Sequence, residues 1–210
     1  MTTGSATDLL VLHAVRLLGM ADDHQVSGRF RLDQATVAEL LLDFQAYGWV
    51  SRVDFAGTGG WTLTLQGRLR NEVQLAAELA GSGAAARVAA VHSDFGPVNA
   101  RLLRASTDWQ LRPTASQPLA ANVHDDPDWD ARVFADLTLI GEELAVLEPR
   151  LTSALTRFTG YHDRFAGALD RVRAGDTSWV TKVREDSCHT VWMELHEDLV
   201  ATIGLERGAS

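Results

Sequence analysis

The spacing of apolar residues changes along the first 80 positions, and each spacing predicts a different element. From Thr7 to Leu18 apolar residues occupy nearly all sides, which predicts a helix buried on more than one face. Residues 24–32 form a more polar segment that predicts a second helix. Asp33 can cap a third helix, because its carboxylate can accept backbone N–H groups of the first turn. Apolar residues then recur at helical spacing; they are Val37, Leu40, Leu41 and Phe44.

A two-residue period follows the third helix. Tyr47-Gly48 can end that helix, since glycine adopts the left-handed cap without strain. Trp49–Phe55 and Trp61–Leu65 are rich in β-branched and aromatic residues and predict two strands. The residues Gly57-Thr58-Gly59-Gly60 between them favour a tight hairpin. The first 80 residues are thus predicted to form three helices followed by a β-hairpin.

The remaining residues predict only helices and loops. Ala80–Gly83 is small and flexible and marks a domain boundary, so we expect domains at 1–80 and 81–210. Helices are predicted over 84–95, with a break at Gly96-Pro97, and from there to about 109. A loop is predicted over 112–127. From 128 onward an apolar seam fits a helix bundle or a dimer interface; it comprises Val133, Leu137, Ile140, Leu144, Leu147 and Leu151.

The predicted fold class is mainly α with a small β-hairpin: a winged helix-turn-helix followed by a helical bundle domain. We expect Pro149 to kink or restart its helix. Two further helices are expected, one around Phe165 to Gly175 and one over 185–203. A short connection holding Trp179 separates them.

Composition places the chain among ordinary globular proteins, with 46% hydrophobic and 22% charged residues. No apolar run reaches the length of a membrane helix, and the amino-terminal residues do not resemble a signal peptide. Cys188 is the single cysteine, which fits a reducing cytoplasm. The formal net charge is −9, and residues 1–80 hold nine acidic side chains against six arginines. Phosphate binding therefore depends on where the arginines lie.

A winged helix uses its third helix to contact base edges and flanking cations to contact phosphates. On the third helix Gln34, Thr36, Glu39 and Asp43 fall opposite the apolar face, and Gln and Thr can contact bases. The candidate phosphate contacts are arginines before the helix, on the hairpin and after it. The predicted DNA-binding residues are Arg29, Arg31, Gln34, Thr36, Arg52, Thr58 and Arg68.

The last helix places His189, Trp192 and His196 on one otherwise apolar stripe. Together with Trp109 they could line a pocket for a small-molecule effector, because such pockets are mostly apolar with a few polar groups. The alternative is that both histidines are ordinary core residues with hydrogen-bonded rings. His92-Ser93-Asp94 and His124-Asp125-Asp126 are short and common patterns, so we expect no metal site. No motif for catalysis or cofactor binding occurs, and we expect no cofactor.

The residues from Thr36 to Val50, TVAELLLDFQAYGWV, with the following SRVDFAGTGGWTLTLQGR, resemble MarR-like winged-helix transcriptional regulators. The resemblance covers about the first 80 residues. It implies a homodimer that binds palindromic double-stranded DNA and releases it on binding a small ligand. Thr58 stands where such proteins carry a basic residue at the hairpin tip.

We therefore expect a cytoplasmic, dimeric, DNA-binding transcriptional regulator without catalytic activity, and its response to a small-molecule effector is a further hypothesis. A second hypothesis is a winged helix that has lost DNA binding and docks a protein partner, which the acidic third helix favours. A small-molecule enzyme in the helical domain is the third hypothesis.

Overall fold

The computed structural model describes residues 4–55, 58–183 and 185–205. Gly57, the first residue of the predicted hairpin turn, lies outside these residues, as does Ala56. The elements are α1 (Thr7–Leu18), β1 (Met20–Ala21), α2 (Asp23–Phe30), α3 (Gln34–Ala46), β2 (Val50–Phe55), β3 (Thr58–Leu63), α4 (Leu65–Ser82), α5 (Ala85–Gln110), α6 (Pro127–Thr152), α7 (Tyr161–Arg173) and α8 (Cys188–Ile203). Two short 3₁₀ segments cover Thr156–Phe158 and Thr177–Val180. The predicted class, mainly α with a small hairpin, is confirmed.

The three strands form one antiparallel sheet in the order β1-β3-β2. In the hairpin Arg52 is paired with Trp61, and on the other side of β3 Ala21 is paired with Trp61. The sequence did not predict β1, because two residues are too short to show a period. Gly60 permits this pairing, since a Cβ there would lie 2.9 Å from the Met20 side chain and about as close to the backbone of Ala21 at 3.1 Å.

The chain divides into two compact units. The first unit contains the described residues up to Val88, Ser153–Arg157 and the described residues from Glu197 onward. The second contains Ala89–Thr152 and Phe158–His196. The domain division at residues 80–81 stays a prediction. The flexible link expected at Ala80–Gly83 is wrong in its local structure, because α4 continues to Ser82 and only Gly83 leaves the helix.

A hydrophobic core of the first unit lies beneath α3 and the sheet. Its buried members come from α1, α2, α3 and the strands β1, β2 and β3. They include Val11, Leu12, Val15, Val26, Val37, Leu41, Phe44, Val50 and Trp61. Because α3 contributes only Val37, Leu41 and Phe44 as buried residues, its opposite side stays in solvent.

The second unit contains the helix seam predicted from residue 128 onward. All six seam residues on α6 are buried, and α6 packs against α7 through Phe165 and Leu169, which approach Gly141. The predicted break at Gly96-Pro97 is wrong: α5 continues through Pro97. The Pro97 ring is exposed, while Phe95, Val98 and Leu102 are buried, so packing of this face outweighs one missing hydrogen bond. Pro149 likewise lies within α6.

Candidate nucleic-acid interface

The side of α3 opposite the core presents the side chains that the sequence assigned to base contacts. Gln34, Thr36, Glu39 and Asp43 are all exposed. Asp33 caps the helix and accepts hydrogen bonds from the backbone N–H of Thr36 at 2.9 Å and from its hydroxyl, also at 2.9 Å. These bonds, the backbone one foremost, hold the pKa of Asp33 below its usual value. The Thr36 hydroxyl therefore keeps only its acceptor lone pairs for another molecule.

A pocket of about 240 Å³ lies where the first turns of α2 and α3 meet the hairpin. Gln34 from α3 and Arg52 from β2 both line it, so two candidate DNA-binding residues share one concave surface. The Arg52 guanidinium lies over the Trp61 ring, 5.6 Å from its centroid. The indole N–H of Trp61 donates to Asp23 at 2.6 Å, which fixes the ring. The remaining lining residues are Asp22, His24, Gly59 and Gly60.

The other candidate arginines differ in their exposure and in their contacts within the chain. Arg31 is exposed and ends α2 in the left-handed conformation, at a φ of 54°. Arg29 is half-buried with its guanidinium 4.6 Å from the Phe30 ring centroid. Arg68 contacts Glu197 at 3.5 Å. Arg31 and Arg52 are therefore the best placed of these arginines for phosphates, and the Thr58 side chain lies outside the described part of the chain.

Carboxylates outnumber cations around this surface. Between Met20 and Leu63 the chain has six carboxylates and three arginines. Five of the six are Asp22, Asp33, Glu39, Asp43 and Asp54, which are all exposed. Because no lysine or arginine lies on α3, attraction to phosphates has to come from its flanks, and at physiological salt a charge acts over only about 8 Å.

The four residues predicted to bind an effector are packed in two separate settings within the second unit. Trp192 is fully buried, stacks on Phe95 at 4.7 Å and donates to Asn99 at 2.9 Å. The His196 ring lies parallel to Phe95 at 5.8 Å. His189 is half-buried, and burial lowers its pKa.

Trp109 packs against a different pair of rings. Its centroid lies 4.1 Å from the His124 ring and 5.3 Å from Phe134. His124 is fixed by Asp130, whose carboxylate lies 3.0 Å from Nδ1. The prediction that Trp109 joins the Trp192 stripe therefore has no support in these contacts, which account for each tryptophan as part of the packing of the unit.

The first unit contains a cluster of buried charged and polar side chains that the sequence did not predict. We call it the buried ionic cluster; it comprises His13, Arg16, Asn71, Glu78, Arg157, Glu197, Asp198 and Thr202. His13 Nε2 lies 3.0 Å from Asp198 and its Nδ1 lies 3.2 Å from the side-chain oxygen of Asn71. Arg157 donates to Asp198, to Glu78 at 2.9 Å and to Thr202 at 2.6 Å. These bonds hold the last turns of α8 to α1 and α4.

Arg16 and Glu197 extend this cluster. The Arg16 Nε donates to Glu197 at 2.8 Å, and its Nη1 donates to Glu72 at 3.2 Å. Both members of the first pair have side chains only 3% exposed. Buried pairs of this kind contribute little net stability, but breaking one leaves an uncompensated charge. The cluster therefore fixes how α8 packs in this unit.

The stability of the protein should depend on pH through His13. Burial is the main cause that lowers the pKa of His13, so the folded protein takes up this proton at lower pH than the unfolded chain does. In the interval below the ordinary histidine pKa of 6.5, the unfolded state binds more protons, and the free energy of unfolding falls as pH falls. We expect denaturant titrations at a series of pH values between about 7.5 and about 5 to show that the free energy of unfolding falls less steeply with falling pH in His13→Gln than in the unsubstituted protein.

The matched control for this experiment is His24→Gln, because His24 is exposed on α2. The free energy of unfolding of the His24→Gln variant should change with pH as that of the unsubstituted protein does. An unchanged pH dependence in His13→Gln contradicts the prediction.

Within the described residues no helix is long and apolar enough to cross a membrane. The same residues contain no group of three or more His, Cys, Asp or Glu side chains arranged to hold a metal ion. The Cys188 thiol is buried, and burial raises its pKa to about 12, so it is a poor nucleophile. Comparison of the chain with protein-family models, with curated proteins and with solved structures finds no match.

Proposed function

We propose that the first unit is a winged helix-turn-helix that binds double-stranded DNA and that the protein regulates transcription. The order α1-β1-α2-α3-β2-β3, with β3 between the other two strands, supports this fold. The observation that carries the function is that Gln34, at the start of α3, and Arg52, on the hairpin, line the same concave surface. A base contact and a phosphate contact can therefore be made together.

In this proposal α3 enters the major groove with its first turn. The amide of Gln34 can donate to and accept from adenine in a bidentate pair. The Thr36 hydroxyl can accept from a base amino group, because its proton is already donated to Asp33. Arg31 and Arg52 contact phosphates on either side, which sets orientation and contributes most of the salt-dependent affinity.

As a cytoplasmic MarR-like regulator, the protein would be a dimer whose DNA affinity an effector changes. An effector acts only through a difference in affinity between two conformations. A ligand that reaches the Trp192 ring has to displace Phe95 or Asn99, which contact it. Effector binding at the stripe of His189, Trp192 and His196 would therefore require repacking of the second unit.

Neutralising two carboxylates on α3 should strengthen DNA binding. We expect Glu39→Gln/Asp43→Asn to bind a fluorescent random duplex about ten-fold more tightly at low salt, because two charges that repel phosphates are removed. Arg52→Ala should weaken binding and reduce the slope of log affinity against log salt by about 1. Fluorescence anisotropy over a salt series measures both effects.

The control is a variant that removes two negative charges from a different surface of the protein. Glu142→Gln/Glu143→Gln neutralises two exposed carboxylates of α6 in the second unit. A similar gain in this control would show that total charge, and not the α3 surface, governs binding. If neither the unsubstituted protein nor Glu39→Gln/Asp43→Asn binds duplex at low salt, the proposal of DNA binding is wrong.

The charge of the α3 surface favours a second candidate function, docking of a basic partner protein. Besides its carboxylates this surface exposes Leu42 and Tyr47, at 60% and 61%, and Val53 at 39%. Apolar side chains among acidic ones fit a partner segment with the opposite pattern. Failure to bind duplex at low salt would favour this candidate.

A further inference from the structure

The outward face of α4 is apolar along its whole length. Leu65, Leu69 and Val73 recur every four residues and are 75%, 55% and 62% exposed. The structure describes all of α4, and its nine exposed residues are Leu65, Gln66, Leu69, Arg70, Val73, Ala76, Ala77, Ala80 and Gly81. Only two of these nine are polar, whereas the solvent side of a surface helix is normally polar. We call these nine residues the α4 face.

The opposite side of α4 packs against the rest of the first unit. Asn71 and Leu75 are fully buried, and Gly67 packs on the backbone of Trp49. Glu78 binds Arg157 in the buried ionic cluster. Because these contacts fix the rotation of the helix, α4 cannot turn its apolar residues inward, and the face spans about 24 Å from residue 65 to residue 81 at 1.5 Å per residue.

We propose that the α4 face binds the α4 face of a second copy of this chain, with the two helices antiparallel and crossing at Val73. In this register Leu69 of one copy lies opposite Ala77 of the other, and Leu65 lies opposite Gly81. Large side chains thus meet small ones, which permits close packing. The arrangement is two-fold symmetric, as self-complementary interfaces are, and antiparallel helix dipoles attract.

Charge does not oppose this register. Arg70 is the one charged residue among the nine, and its guanidinium lies over Trp49, 5.1 Å from the ring centroid. Glu72, beside the face, is paired with Arg16 of its own unit at 3.2 Å. With the crossing at Val73, Arg70 of one copy lies opposite Ala76 of the other and about 9 Å along the helix axis from the second Arg70. The two arginines are therefore kept apart.

The size of the face sets the strength of the dimer. A standard interface buries about 800 Å² on each partner with 20–30 residues, so nine residues bury roughly 300 Å². This area corresponds to a weak dimer that forms at high concentration. Two copies on one DNA molecule would have a high effective concentration, so the same contact would act cooperatively there. That last consequence rests on the proposed function, but the dimer itself does not.

Sedimentation velocity of the full chain without DNA tests the proposal, at protein concentrations from about 1 to 500 μM, which bracket weak interfaces. We expect a shift from monomer to dimer, and Leu69→Glu should weaken association at least ten-fold, because it buries an unpaired carboxylate opposite Ala77 of the other copy. Leu103→Glu on α5 makes the same change at a 47% exposed leucine and should leave association unaltered. Far-ultraviolet circular dichroism checks that each variant is folded.

A cysteine pair tests the register independently. Val73→Cys places two thiols at the symmetry axis and should form a disulfide-linked dimer on mild oxidation, while Val146→Cys on α6, 61% exposed, should not. The native Cys188 is buried and contributes no background. A protein that stays monomeric throughout, or a dimer that survives Leu69→Glu and does not cross-link through Val73→Cys, overturns the proposal.

Discussion

Asp198→Asn is expected to lower the free energy of unfolding by about 3–5 kcal/mol, the largest effect of any single charge change in the first unit. Asp198 is fully buried, accepts a hydrogen bond from Arg157 and lies 3.0 Å from His13 Nε2. Burial by itself raises the pKa of Asp198, but Arg157 and His13 outweigh it and hold that pKa well below its usual range. The carboxylate is therefore ionised in the folded state, and asparagine leaves the Arg157 charge partly uncompensated.

Guanidinium chloride titrations at pH 7 measure this loss, and Asp170→Asn provides the control. Asp170 also pairs with an arginine, Arg173 at 3.1 Å, but its side chain is 73% exposed. Exposed pairs contribute at most about 1 kcal/mol, so this variant should be nearly neutral. Losses of equal size in the two variants contradict the assignment of Asp198 to a buried ionic cluster.

A double variant separates charge from shape at the same site. Replacing both Arg157 and Asp198 with apolar residues, as Arg157→Met/Asp198→Leu, removes both charges from the interior. Because an apolar pair avoids the desolvation cost, the double variant should be more stable than Asp198→Asn. A double variant that is less stable than the single one would indicate that hydrogen bonds to Glu78 and Thr202 matter more than the charge pair.

The hydrophobic period predicted the elements but not this cluster, for a physical reason. His13 and Asp198 are 185 positions apart, and local spacing carries no information about such contacts. On α8 the period identified the stripe of His189, Trp192 and His196. It gave no indication that Glu197 and Asp198 are buried, at 2% and 0% exposure. A helix surrounded by protein on several sides buries polar residues when partners of opposite charge are supplied by distant segments.

The surface of α3 could be predicted more fully, because exposure follows directly from the helical period. Gln34, Thr36, Glu39 and Asp43 are exposed as expected. The position of the arginines could not be predicted, since it depends on side-chain packing: Arg29 lies over Phe30, and Arg68 contacts Glu197. Arg29 is half-buried and Arg68 is paired with Glu197, whereas Arg31 and Arg52 are exposed. The phosphate contacts of the proposed DNA binding would therefore come mainly from Arg31 and Arg52.

Gly67→Ala is expected to destabilise the protein by about 3 kcal/mol or more, because the added atom meets backbone and not a movable side chain. A Cβ on Gly67 would lie 1.9 Å from the carbonyl oxygen of Trp49. That oxygen accepts from the backbone N–H of Thr64 at 3.0 Å, and the Thr64 hydroxyl caps α4 by accepting from the N–H of Gly67. Separating α4 from Trp49 therefore breaks the cap and displaces the start of β2.

Helix propensity alone predicts that Gly67→Ala stabilises the protein, since alanine is favoured over glycine within a helix by about 1 kcal/mol. Gly81→Ala, on the same helix, measures this propensity effect by itself, because a Cβ there has no neighbour within 4 Å. Thermal unfolding at low protein concentration should show a small gain for Gly81→Ala and a large loss for Gly67→Ala. Since β2 carries Arg52, Gly67→Ala should also weaken duplex binding at temperatures where it remains folded. Equal and favourable shifts in both variants would show that α4 does not press on Trp49, and that the hairpin is positioned by the sheet alone.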